Sequence, residues 1–341
     1  MENSINQNNA HISVEEDSRK VRFYSIDVCR FILMLFAGIS IMNFPTPYGK
    51  LIQIISGFAI PCFYVLSGFL VFREKSGRSK KILRTIKRTA ICFTVLAVCY
   101  FVLNFAIFPD ETLKTVATKR FWFDFIILNE WGLKLGTTIW YVQSLLYAYI
   151  ILYFLDKYRL LRYDWPIVIL CIAFTILTGD LAGVIGFNFL GHRYITGNFI
   201  TRAIPYLIIG RIIAKKRPFP NYITIIAGIV LIFLEMVILR HFNVLVYSGH
   251  LIGKTLLGIG VSIFIIAYSS SFSKNLYSSY HIWGTKFLYF VMQPAYVLVK
   301  LLLKTPNLTD YIGIITILIC IAVFSILYFV CRVVAFIKEF A

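Results

Sequence analysis

Apolar runs of about twenty residues recur along this chain, at 25–44, 51–72, 86–108, 138–155, 165–184, 199–214, 221–239, 251–272, 284–303 and 311–337. A helix rises ~1.5 Å per residue, so a run of that length crosses the ~30 Å hydrocarbon core of a bilayer. Composition agrees: the 341 residues are 59% hydrophobic and only 15% charged, and mean hydropathy is +0.78, far more apolar than a soluble domain needs. The expectation is an all-α polytopic membrane bundle of about ten transmembrane helices. Two stretches strain the count. The run at 199–214 is short and holds Arg202 and Pro205, while 121–135 (FWFDFIILNEWGLKL) has the aromatic, amphipathic character of a segment lying at the membrane interface.

Basic residues concentrate in loops on the cytoplasmic side. With the N-terminus inside, the cytoplasmic connections hold Arg73, Lys75, Arg78, Lys80, Lys81, Arg84, Lys87 and Arg88, then Lys157, Arg159 and Arg162, then Lys215, Lys216 and Arg217. The opposite orientation puts the most basic loop outside, so both termini are expected in the cytoplasm. The net charge of +18 is spread over short loops between apolar spans, which points to anionic lipid head groups and away from nucleic acid. The loop at 73–88 is equally able to hold an anionic cytoplasmic cofactor, and its charges alone do not separate the two uses.

Residues 1–20 are polar, lack an apolar core and read as a disordered cytoplasmic tail with no cleavable signal. The seven cysteines all lie in apolar segments without metal-ligand spacing, so no metal site and no disulfide is expected.

Ionisable and helix-breaking residues within the spans carry most of the functional information, because a charge in hydrocarbon needs a partner or water. The first span opens with Ser25, Asp27 and Arg30. Three residues separate the two charges, so they share a helix face and can pair, or Arg30 can snorkel to lipid phosphate. In the second span, Pro61 precedes Ser67-Gly68 by six residues; proline frees a carbonyl and small residues admit a neighbouring helix or a ligand. Glu235 lies deep in the seventh span, where a desolvated carboxyl group serves as a general base or makes a structural hydrogen bond to another helix.

The same residues carry a family resemblance. SIDVCRF at 25–31, AIPCFYVLSGFLVFR at 59–73 and the basic KKILRTIKR at 80–88 resemble the opening of the acyltransferase 3 family of bacterial membrane acyltransferases. Further on, TTIWYVQSLLYAYIILYFL at 137–155 is similar to that family's Trp-rich fourth segment, RAIPYLIIGRIIAKK at 202–216 to its Gly-Arg segment, and FLYFVMQPAYVLV at 287–299 to its late Tyr-x-x-His-x-Pro segment. The resemblance implies one domain over 21–341 that transfers an acyl group, commonly acetyl from cytoplasmic acetyl-CoA, to a hydroxyl on an envelope polysaccharide or its lipid-linked precursor. Acyl-CoA is then a co-substrate, with no tightly bound cofactor, and the setting is the bacterial cytoplasmic membrane. Arg30, Ser67 and Gly68 become cofactor-binding, as do Arg84 and Arg88 of the basic loop, where guanidinium groups suit a CoA phosphate.

Two departures stand out. The family's first-helix histidine, eleven residues after the arginine, is replaced by Ile41, and its late histidine by Met292, followed by Gln293-Pro294. Neither side chain accepts a proton, and loss of a general base costs a factor of about 10² to 10⁴. The candidates to replace it are Glu235 and His250; of the other histidines, His192 is expected in an outer loop, His241 near an outer helix end and His281 near the inner mouth. Without a replacement, the chain is a non-catalytic relative that binds, flips or exports a glycan or lipid.

Overall fold

The computed structural model describes residues 24–42, 44–45, 48–73, 77–178, 184, 199–242, 251–269, 278–303 and 311–340. The expected tail at 1–20 and the candidates His192 and His250 lie outside these residues. In chain order the helices are α1 (Tyr24–Ile41), α2 (Gly49–Ser56), α3 (Ala59–Phe72), α4 (Arg78–Ile107), α5 (Pro109–Val116), α6 (Lys119–Phe123), α7 (Ile139–Lys157), α8 (Asp164–Thr178), α9 (Phe199–Arg202), α10 (Ile204–Lys216), α11 (Tyr222–His241), α12 (Ile252–Ala267), α13 (Ser278–Leu302) and α14 (Ile312–Phe340). No strand occurs among the described residues. Five helical stretches are long and apolar enough to cross a bilayer: Gly49–Phe72, Arg78–Ile107, Ile139–Lys157, Tyr222–His241 and Ile312–Val333, with Ile252–Ala267 as a shorter apolar helix.

Exposure shows what solvent these helices are built for. On α4, Ile91, Val95, Val98 and Val102 are each more than half exposed along one face, and on α14 so are Leu318, Ile326 and Phe329. Apolar stripes at helical spacing, open to the outside, are unfavourable in water and neutral in lipid. The chain is a membrane protein with several apolar helices.

Prolines set the local breaks. The α2–α3 stretch turns at Gly57-Phe58, four residues before Pro61, because a proline ring cannot donate to the carbonyl one turn back. Pro61 itself sits in the first turn of α3, where its missing N–H is least costly. Inside α13, Pro294 leaves the Phe290 carbonyl without its helical donor. The Tyr100 hydroxyl of α4 donates to that carbonyl at 2.9 Å, so another helix satisfies what the proline freed.

Glycines set the close crossings. A Cβ on Gly68 of α3 runs into the backbone of Leu207 on α10, and one on Gly210 of α10 runs into the backbone of Val65 and Phe69 on α3. The two helices therefore touch backbone to backbone, with Leu66, Leu207 and Ile208 fully buried beside the crossing. Gly228 of α11 and Gly253 of α12 make a second such contact.

At one end of the bundle, the start of α4, the end of α7, the start of α8 and the end of α10 meet in a charged layer. Arg211 of α10 pairs with Asp164 and donates to the Leu161 carbonyl at 2.7 Å; Lys215 Nζ reaches Asp164 at 2.8 Å, and Arg78 reaches Asp156 at 3.4 Å. Arg211 is 6% exposed, so this pair is a buried one whose two halves require each other. This basic end serves below as the reference for position in the bundle.

The stretch at 121–135 is amphipathic, as its sequence indicates. Trp122, Phe123, Ile126 and Ile127 are exposed, whereas Phe121, Trp131, Leu133 and Leu135 are buried. After α6 the chain makes a π-turn over Asp124–Leu128, with Asn129 left-handed at φ 62°. Asn129 Nδ2 then donates to the Trp140 carbonyl at 3.0 Å, which anchors this stretch to α7.

Candidate functional site

Two adjoining cavities lie between α1, α3, α7 and their neighbours. The inner one, of about 260 Å³, is lined by Arg30 and Ile41 of α1, Ser67 of α3, Tyr141 of α7, and Lys286 and Met292 of α13, among others. The outer one, of about 360 Å³, is lined by Lys50 and Gln53 of α2, Trp140, Arg202, Tyr206 and Lys254. Ile41, Ile60 and Trp140 belong to both walls, so the two spaces are neighbours across a thin partition.

The inner cavity gathers positions that are far apart in the chain. Arg30 faces it from the first half of α1, and its Nε is buried without a hydrogen-bond partner among the described residues. Arg30 lines this cavity rather than facing only along its own helix. The Ser67 hydroxyl stands beside the hydroxyls of Tyr141 and Tyr149, and the Arg30 charge acts on both tyrosines. A half-buried guanidinium with hydroxyls around it is an environment that stabilises developing negative charge on a substrate oxygen.

Ile41 and Met292, the two positions where the sequence resemblance implies a histidine, both line this cavity. Met292 is 1% exposed, and its thioether packs against Gly38, one turn before Ile41, where any Cβ collides with the sulfur. The next residue, Gln293, braces the wall: its Oε1 accepts the Gly136 N–H at 2.7 Å and its Nε2 donates to the Lys134 carbonyl at 3.2 Å. Gly136 holds φ +87° with the Tyr100 ring against it, a position that requires glycine. Tyr289 completes the brace by donating to the Thr138 carbonyl at 2.6 Å.

Other residues singled out in the sequence lie elsewhere. Gly68 faces α10, and its contacts are those of a helix crossing. Arg84 and Arg88 are exposed on the face of α4 that continues into Ile91 and Val95, while the Cys92 side of the same helix meets the cavity. Glu235 is 3% exposed and lines neither cavity. Its two carboxylate oxygens accept the N–H groups of Ile252 and Gly253 at 2.8 and 2.9 Å, so it caps the first turn of α12 from α11, the most favourable place for a carboxylate against a helix dipole. His241 is exposed at the end of α11, and His281 stands edge-on to Phe31 at 5.5 Å.

Sequence reasoning assigned no site role to Lys286, Trp140 or Arg202. Lys286 is a cation inside an apolar run, the signal that singled out Glu235, and it lines the inner cavity. Arg202 lies over the Trp140 ring with its guanidinium carbon 4.8 Å from the centroid. Among the described lining residues of both cavities there is no carboxylate and no imidazole.

Comparison with curated proteins and with solved structures returns no match. A match to a family does appear: the acyltransferase domain of the acyltransferase 3 family covers residues 23–331. It takes in every element that forms the two cavities, and the motif residues Arg30, Ser67 and Gly210-Arg211 all fall within it. The chain belongs to the acyltransferase 3 family.

Proposed function

We propose that the protein is an acyl-CoA-dependent O-acyltransferase of the bacterial cytoplasmic membrane, moving an acyl group, commonly acetyl, to a hydroxyl of an envelope polysaccharide or its lipid-linked precursor. One observation carries the reading beyond family membership: Arg30, Ile41, Ser67 and Met292, spread over the family's first, second and late segments, line one cavity. In the reaction the acceptor oxygen attacks the thioester carbonyl, a C–O bond forms, the C–S bond breaks, and CoA leaves as the thiol. Arg30 and Lys286 offset the charge that grows on the carbonyl oxygen. With no carboxylate or imidazole on the described walls, the departing thiolate takes the acceptor proton, through the Ser67 and Tyr141 hydroxyls or directly. Such a site is slow by about 10² to 10⁴ relative to one with a general base.

The apolar pair Ile41 and Met292 favours a second reading, in which the cavity binds a glycan or lipid for transfer across the membrane without chemistry. Purified protein in liposomes, given radiolabelled acetyl-CoA and cell-envelope glycan, separates the two. Release of CoA with label in the glycan, reduced at least tenfold by Arg30→Gln, supports the enzyme. Absence of both CoA release and label, in protein that still binds glycan, supports the carrier.

A further inference from the structure

The inner cavity is polar at one end and apolar at the other. Arg211 lies over the Phe72 ring, its guanidinium carbon 5.7 Å from the centroid, so α3 ends at the basic end of the bundle, and Ser67 is five residues from Phe72. Arg30 acts on the same two tyrosines that stand beside Ser67, which puts it at that level. From there α1 presents Met34, Ala37, Gly38 and Ile41 to the cavity, a run that climbs ~16 Å from Arg30. α3 faces it in the opposite direction, with Phe63 and then Ile60 beyond Ser67. α13 runs alongside α1, since His281 meets Phe31 and Met292 meets Gly38. At the far level Gln293 commits both halves of its amide to the backbone of Gly136 and Lys134, which leaves the Thr138 hydroxyl among apolar side chains. The partition of Ile41, Ile60 and Trp140 closes this end.

We infer that the inner cavity holds the hydrocarbon chain of an acyl thioester longer than acetyl, with its carbonyl toward Arg30 and Ser67 and its tail toward the partition, and that Ile41 and Met292 set the chain length. This rests on the acyltransferase reading and names its donor class. Acetyl needs room for one methyl group beyond the carbonyl. At about 30 Å³ for a water-sized group, 260 Å³ takes about eight such groups, so a chain of roughly six to eight carbons fits. The apolar end is where the resemblance implies two imidazoles, and an imidazole facing hydrocarbon is left without hydrogen-bond partners. Isoleucine and methionine remove that cost. Gly38 gives the Met292 thioether a place to pack back against α1, and the flexibility of methionine lets it follow the end of a chain.

Equilibrium binding in phosphatidylcholine nanodiscs tests the inference without requiring turnover. The protein is titrated with acetyl-, butanoyl-, hexanoyl-, octanoyl- and dodecanoyl-CoA, with partitioning into empty nanodiscs subtracted. Affinity should rise about fourfold per buried methylene from acetyl to about octanoyl and then stop rising. Ile41→Phe should move that break to a shorter chain, and Met292→Ala to a longer one. Ile41 is 44% exposed and Met292 1%, so the first variant should fold even if the second does not. Val98→Ala, on the outward stripe of α4, should leave the series unchanged. Equal affinity from acetyl to octanoyl would overturn the inference, as would a rise that continues to dodecanoyl in every variant. Octanoate binding as tightly as octanoyl-CoA would make the space a general hydrocarbon site and overturn it too. Transfer of labelled acyl groups to envelope glycan, measured on the same nanodiscs, keeps the two readings separate: acetyl transfer with binding indifferent to chain length defeats this inference alone, and a chain-length break without transfer of any acyl group defeats the enzyme alone.

Discussion

Glu235 and Met292 carry different sequence signals, and each is read only once its neighbours are known. A lone carboxylate in an apolar run advertises either a base or a cap, and nothing in the run itself chooses. The choice lies in residues 252 and 253, seventeen and eighteen positions later, whose N–H groups take both oxygens. Glu235→Gln keeps the shape but leaves a weaker acceptor, so the thermal midpoint in detergent should fall by several degrees, in keeping with about 1–2 kcal/mol for a cap. Transfer per folded molecule should stay within about twofold; a fall of about 10² at unchanged stability would make Glu235 the base instead. Met292 reads the other way. The resemblance marks it as a place where a histidine is expected, but only the fold shows that it shares a cavity with Ile41 and Arg30. Arg30 likewise lines that cavity, because spacing along one helix says nothing about the space that opens beside it.

At the scale of the elements, most helices are legible, since the apolar runs described by the structure are largely helical and the breaks at 57–58, 108, 203 and 217–221 fall next to prolines. The site is less legible, because cavity walls are made by crossings, and crossings depend on which glycines face each other. Gly68 and Gly210 make the point. Both sit in segments that resemble family motifs, and both serve the contact of α3 with α10. Gly68→Ala should lower stability by at least the 1–3 kcal/mol typical of overpacking, read as loss of monodisperse protein or a lower thermal midpoint. Gly77→Ala, where a Cβ meets nothing within 4 Å, should show only the cost of its left-handed φ of +67°, about 1 kcal/mol. If the two substitutions prove equally mild, the helices do not cross as closely as described. Asp164→Asn strips the buried Arg211 of its charge partner and should cost about 3–5 kcal/mol, more than any change at the exposed Arg84.

For the whole molecule, orientation and chemistry are linked. The proposed orientation, with both termini inside, would put the basic end, with Arg78 and Arg211, in the cytoplasm and the outer cavity toward the external face. A reporter fused after residue 341 should then read as cytoplasmic and one near residue 190 as external; a cytoplasmic signal at 190 would contradict the ten-span arrangement. The exposed stripe that begins at Arg84 and Arg88 and runs on to Ile91 and Val95 suits lipid head groups, so reversing those charges should change insertion and orientation more than acyl-CoA binding. The central claim is that the inner cavity is an acyl-transfer site that lacks its base. Its most direct test is acetyl transfer by Ile41→His combined with Met292→His, measured beside wild type in the same liposomes with radiolabelled acetyl-CoA. The account predicts slow transfer by wild type and a rise of about 10² or more when the imidazoles are restored; no label transferred by either protein, both folded, would contradict it.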